Sequence, residues 1–225
     1  IDYYEDIGCK DDQLLSKCVA DVANNISNFT YSKSAFTRNR KLNAQTTILT
    51  TLNMQGGSLN VELLDSFPDK NKRMTASAYE QAKGKLKSEV FEHILHEYNK
   101  TNNNIKLFNG KYRLFAIDGS DFTTPYNPNS EFVMQNCGAP KKNGENSKPY
   151  CQVHANLLYD IENRTYENCI FQPKNQSNER KAAKEMISNL DCDDFIVIMD
   201  RGYESFNLFE TCNRLEHCFY VIRTK

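Results

Sequence analysis

No stretch of the 225-residue chain reaches the roughly 18 consecutive apolar residues of a membrane-spanning helix, so a membrane protein is not expected. Residues 1–6 are acidic rather than a basic cluster followed by an apolar run, so no signal peptide is read there. The chain starts with Ile rather than Met, which is read as a missing natural N-terminus. An excess of one charge is missing too: 28 Lys and Arg oppose 29 Asp and Glu, a net of −1. Global charge therefore announces no nucleic acid, and any such contact must come from local basic patches. The eight Cys include no C-x-x-C pair, so zinc ribbons and thioredoxin chemistry lack their signature. Cys151, Cys169 and Cys218 lie in apolar segments, where thiols behave as small buried hydrophobes, and reduced Cys are expected. His93 and His96 share a helix face, but no nearby Cys completes a zinc set. The sequons at Asn25, Asn28, Asn99, Asn163 and Asn175 are read as chance in an Asn-rich chain.

What is present suffices for one sizeable domain or two small ones. The first half reads as helical. Leu14, Leu15, Cys18, Val19, Val22 and Ile26 recur at helical spacing over residues 11–27. A polar basic stretch follows at 32–41, then a helix over 44–54 and a short segment over 59–67 capped by Ser58. The strongest pattern is the stripe Tyr79, Ala82, Leu86, Val90, Ile94 and Tyr98. It predicts one helix over 76–98, opened by a capping box of Ser77 and Glu80. Residues 99–104 read as a linker.

The second half changes period. A strand over 111–117 ends at Asp118-Gly119, and 127–148 is a long polar loop. Residues 150–159 alternate, with Cys151, Val153, Ala155 and Leu157 on one face, and pair back with 165–172 as a hairpin. A helix over 178–190, a buried strand over Phe195–Met199, a helix over 204–214 and a last strand over Cys218–Ile222 complete the order. The expected class is α/β: an all-helical N-terminal region over 1–107, then an incomplete ribonuclease H-like mixed sheet with flanking helices over 108–225.

Two places carry chemistry: Phe115-Ala116-Ile117-Asp118-Gly119-Ser120 and Val197-Ile198-Met199-Asp200-Arg201-Gly202-Tyr203. In each, an apolar strand ends in one Asp with Gly within two residues. Ligands of open α/β sheets gather at the carboxyl ends of parallel strands. If the two strands are parallel neighbours, both carboxylates reach one place, where they repel unless a cation intervenes. Mg²⁺ or Mn²⁺ takes hard oxygen ligands and leaves positions for phosphate and water, which suits phosphoryl transfer in a two-metal site. Either site alone would more simply be a turn or cap; it is the pair, each behind a buried strand, that points to a metal site.

Asp118-Gly119-Ser120, continued by Asp121-Phe122-Thr123-Thr124-Pro125, resembles the first catalytic motif of bacterial insertion-sequence transposases of the type-four group. Residues 152–160 look like the strand that follows it there, and Asp200-Arg201-Gly202-Tyr203 resembles the second catalytic motif. Residues 36–42 and 75–82 look like that group's N-terminal helical region. The resemblance implies a D-D-E transposase that cleaves and joins DNA phosphodiesters, with Asp118 and Asp200 as catalytic metal ligands. It also implies double-stranded DNA partners (transposon ends and target), a homodimer on DNA, no membrane, and a bacterial cytoplasmic, nucleoid-associated location. The group's third acid is a Glu in a downstream Tyr–Arg–Glu–Lys pattern, so the chain is expected to be cut off before it and inactive alone. Glu204, Glu210 and Glu216 belong to the preceding helix or its end and are poor substitutes.

Candidate phosphate contacts are Arg38, Arg40 and Lys41, the densest basic cluster, with Lys83 and Lys87 on the long helix, Lys141 and Lys142 in the polar loop, and Arg201 beside Asp200. Each also has a plainer reading, a solvated charge or, for Arg201, a surface or strand-end ion pair. His154 reads as a satisfied sheet residue. Two other functions stay open: a ribonuclease H-like nuclease without transposition, and a DNA-binding remnant without catalysis.

Overall fold

A computed structural model describes residues 2–38, 40–102, 104–134 and 148–223, with side chains from residue 13 onward. The chain forms two compact units, Ile1–Asn103 and Asn104–Lys225. No helix among the described residues is long and apolar enough to cross a membrane. Of the eight Cys, the six at 18, 151, 169, 192, 212 and 218 are free thiols.

The first unit is helical: α1 (Asp2–Asn24), α2 (Ala44–Leu52), α3 (Leu59–Ser66), α4 (Ala76–Lys83) and α5 (Glu89–Thr101). Its core joins Cys18, Val19 and Val22 of α1, Ile48 of α2, and Leu86, Val90 and Ile94. The helix expected over 76–98 is two helices. Its apolar stripe is buried from Tyr79 to Ile94, with Tyr98 half-buried, but the backbone leaves the helical path at Gly84. Leu86 bridges Thr30, Tyr31 N–H donates to Lys85 O (3.2 Å), and Lys87 N–H donates to Phe29 O (2.9 Å). Glycine costs about 1 kcal/mol in a helix interior, and these bonds to residues 29–31 replace the helical ones surrendered. The cap is Thr75, whose hydroxyl accepts Ala78 N–H (3.2 Å), one turn's edge earlier than the Ser77 expected.

The second unit is a sheet with two helices. Its strands are β1 (Arg113–Thr124), β2 (Val133–Met134), β3 (Tyr150–Asp160), β4 (Thr165–Pro173), β5 (Phe195–Met199) and β6 (Cys218–Ile222). β1 pairs antiparallel with β3, β3 with β4, and β2 with the start of β3. β1, β5 and β6 run parallel to one another. The sheet thus reads β4-β3-β1-β5-β6, a ribonuclease H-like mixed arrangement. Helices α6 (Glu179–Ser188) and α7 (Phe206–Arg214) lay Ala183, Met186, Ile187, Leu208 and Cys212 on Phe115, Ile117, Leu158, Phe195, Val197 and Met199.

Cys151 and Ala155 of the expected β3 face are buried, but the helices cover the other face, that of Leu158. Register pairs Phe115, Ile117, Gly119 and Asp121 of β1 with Asp160, Leu158, Asn156 and His154. These four β3 residues are all buried, whereas Val153 and Leu157 are only half-buried. Polar side chains occupy this face because each finds partners there, as buried polar groups must. Asp160 accepts from Arg113 Nε (2.6 Å) and from Asn163 N–H (2.9 Å), while Arg113 also donates to Glu167 (3.0 Å). Asn156 donates to Ile170 O (3.2 Å) and Gln172 Oε1 (3.3 Å). This network ties the hairpin to the start of β1.

Candidate active site

The parallel pairing of β1 with β5 ends at Ile117↔Met199, and Asp118 and Asp200 are the next residues on each strand. Parallel register alone therefore brings the two carboxylates together. Only Asp200 stands at a strand end. β1 runs on past Asp118, antiparallel to β3, as far as Thr124. Strand alternation puts Asp118 on the face opposite Ile117 and the helices.

Each carboxylate is held by one glycine amide. Asp118 Oδ1 accepts Gly119 N–H (2.9 Å), and Asp200 Oδ1 accepts Gly202 N–H (2.7 Å) within the 3-10 turn Arg201–Tyr203 that it caps. A Cβ at Gly202 would lie 2.9 Å from Asp200 Oδ1, so the glycine makes this close approach feasible. Arg180 Nε, from α6, braces the turn by donating to Gly202 O (2.8 Å). Both carboxylates are exposed, and the second oxygen of each makes no hydrogen bond or ion pair with the described residues.

Tyr203 follows, 1% exposed, its hydroxyl without a hydrogen-bond partner. Burial first, then the charges of Glu179, Asp118 and Asp200, push its pKa far up, so the phenol stays a donor among carboxylates. Two hard oxygens without partners and an orphaned buried hydroxyl beside them fit a hydrated divalent cation, which takes oxygen ligands and keeps several waters. Among the described residues no group of three or more His, Cys, Asp or Glu is placed to hold one ion, so the pair stands as two ligands.

Sequence reading missed a set of residues on the helix side of Gly119. His154 is 2% exposed; its Nδ1 lies 2.6 Å from Asp121 Oδ1, and its Nε2 lies 3.1 Å from Glu179 Oε1 but is poorly aligned for a hydrogen bond. Lys174 Nζ reaches Asp121 Oδ2 (2.7 Å). The signal was the cross-strand pair Asp121↔His154, which needs the β1–β3 register to be seen. Hydrogen bonds from Lys174 and then His154 hold Asp121 below the usual carboxylate range. A carboxylate lowered in the folded state stabilises it above the unfolded pKa, and that stability is lost as pH falls through the folded value. The Asp121→Asn variant is therefore expected to show a flatter loss of stability below about pH 4 than the parent. Urea unfolding at pH 3 to 7 measures this; parallel curves would refute it.

The basic candidates divide between the units. Arg38, Arg40 and Lys41 are exposed in the first unit. Arg38 and Arg40 line a concavity of about 370 Å³ with Lys85, and Arg40 and Lys41 line another of about 320 Å³ with Arg73 and Lys85. Lys41 Nζ donates to Asn71 O (2.6 Å). Lys83 ends α4, exposed, whereas Lys87 is half-buried in the break before α5. Lys141 and Lys142 lie outside the described residues. Arg201 is exposed beside Asp200, and its side chain makes no ion pair with the described residues. Glu210 pairs with Arg214 (2.8 Å) along α7.

Residues 109–225 match the family model described as the transposase DDE domain. Among solved structures, a piggyBac transposase synaptic complex with hairpin DNA, determined by cryo-electron microscopy, aligns with 96% of this chain at 12% identity and a TM-score of 0.39. The chain spans 42% of the length of that protein. No curated protein sequence matches the chain.

Proposed function

Since the chain belongs to the transposase DDE-domain family, we propose that it is part of a DNA transposase that cleaves and joins phosphodiesters at transposon ends, with Asp118 and Asp200 as metal ligands. The observation that carries this is the carboxylate pair one residue beyond Ile117↔Met199, each with one oxygen tied to a glycine amide and one oxygen without a partner. DDE transposases use divalent metals; Mg²⁺ or Mn²⁺, two ions per site, is the assignment here. When bound, such ions activate an attacking water or 3′-hydroxyl and stabilise the leaving oxygen.

The chain's own residues do the rest. Gly119 and Gly202 amides fix the carboxylates, and the buried Tyr203 hydroxyl stays protonated near their charge. Arg201, free of ion pairs beside Asp200, is assigned to a DNA phosphate, as are Arg38, Arg40, Lys41, Lys83, Lys87, Lys141 and Lys142. Residues 1–107 are assigned to DNA binding and 108–225 to the catalytic core. The finer placement in the type-four insertion-sequence group rests on Asp118-Gly119-Ser120 and Asp200-Arg201-Gly202-Tyr203. With it come a third acid supplied by residues outside 1–225, a homodimer on DNA, and action in the bacterial cytoplasm at the nucleoid.

The test compares residues 1–225 with the chain extended to include a Tyr–Arg–Glu–Lys pattern. Each is incubated with transposon-end duplex and Mg²⁺ and scored for strand cleavage. Cleavage by the extended protein alone is expected. Cleavage by 1–225 alone would overturn the assignment of the third acid, and no metal-dependent cleavage by either would leave a DNA-binding remnant.

A further inference from the structure

Gly119 supplies the amide that holds Asp118, and glycine is the residue whose backbone is least restrained by its own structure. The β1–β3 ladder, in which Gly119 pairs with Asn156, restrains that backbone in part, and a second support meets it from the helix side. A Cβ at Gly119 would lie 2.7 Å from Glu179 Oε1 and 2.7 Å from His154 Nε2, so these two groups press against the backbone where a side chain would be. His154 is held there from its other nitrogen by Asp121, and Asp121 by Lys174.

The backbone that carries Glu179 is anchored as well. It opens α6, whose cap Asn178 accepts Lys181 N–H (3.0 Å) and donates its own N–H to Gln172 Oε1 (2.8 Å). Gln172 Oε1 also receives Asn156 Nδ2 from β3 (3.3 Å). The support beneath Gly119 thus draws on β1, β3, the segment after β4, and α6. Two buried polar atoms on the β3 residues of this support lack hydrogen bonds, His154 Nε2 and Asn156 Oδ1.

We propose that Glu179, acting through His154 and the Gly119 backbone, is a positioning residue that sets the orientation of the Asp118 carboxylate. The proposal rests on the reading of Asp118 and Asp200 as the cation-holding pair. It gives the site a supporting carboxylate distinct from a third ligand. Groups that orient ligands commonly change metal affinity 10- to 100-fold when removed.

The experiment uses the 225-residue chain and two readouts. One is Mn²⁺ affinity, from the electron paramagnetic resonance of free Mn²⁺. The other is the Gly119 amide resonance in ¹⁵N spectra without metal. Glu179→Ala is expected to weaken Mn²⁺ binding about tenfold and to shift the Gly119 resonance. Glu179→Gln, which keeps an oxygen at the same reach, restores most of both. Melting temperature holds for both variants, because Glu179 is 41% exposed. An unshifted Gly119 resonance in Glu179→Ala overturns the proposal. So does Glu179→Gln binding as weakly as Glu179→Ala, which makes the effect one of charge alone. If the parent binds no Mn²⁺, or Asp118→Asn binds as the parent does, the metal reading fails, and the Gly119 resonance alone decides the positioning role.

Discussion

Asp118→Asn or Asp200→Asn in the cleavage-competent protein is expected to lower the rate of DNA cleavage by ~10³-fold or more, while leaving folding intact. Oxygen ligation at a phosphoryl-transfer site contributes several kcal/mol to the transition state, and about 4 kcal/mol corresponds to ~10³ in rate. Stability should move the other way. Both carboxylates are exposed, and neither has a cationic partner among the described residues. Neutralising one removes like-charge repulsion without opening a cavity, so the melting temperature should hold or rise slightly. Single-turnover cleavage beside a thermal melt separates the two effects. Retained cleavage in either variant would remove that residue from the metal site.

Arg113→Met should do the reverse, costing about 3–5 kcal/mol of folding stability, the usual cost of breaking a buried pair. Asp160 is 0% exposed, and Arg113 is its cationic partner at 2.6 Å. Losing the guanidinium strands a buried carboxylate that keeps only the Asn163 N–H. The same change frees Glu167, but that side chain is more exposed and resolvates. Asp160→Asn added to Arg113→Met is expected to recover much of the loss, since replacing both partners of a buried pair is far milder than removing one. Urea unfolding of the parent and the two variants, followed by circular dichroism, gives the comparison. A single variant as stable as the parent would show that Asp160 finds another partner.

The strands and helices of the second unit were legible because their periods are clean. Phe195–Met199 is an unbroken apolar run, and the helices beside it carry apolar residues at three-to-four spacing. Asp118 and Asp200 were legible because each follows such a run and precedes a glycine. Other features were hidden for physical reasons. The break at Gly84 depends on the backbone of residues 29–31, far away in sequence. The end of β1 was misplaced because Gly119 and the polar residues after it look like a turn, while β3 supplies pairing partners out to Cys151. His154, Asn156 and Asp160 look solvent-facing in a pattern of apolar and polar residues. They are buried because their partners, Asp121, Gln172 and Arg113, arrive from other segments. Glu179 resembles any acidic residue in a first helical turn until register places Gly119 beneath it.

The parallel pairing of β1 with β5 also sets when the site comes into being. β1 and β3 can zip as part of an antiparallel meander with β4, across shorter loops. β5 reaches β1 only after the chain has passed through that meander and α6, so their union closes a long loop. Such non-local parallel closures are slow, because the entropy of the loop is lost before the contacts form. A partly folded chain can therefore carry the hairpins and still hold its two aspartates apart. The carboxylate pair forms only with the β1–β5 closure, which makes it a marker of that step of folding.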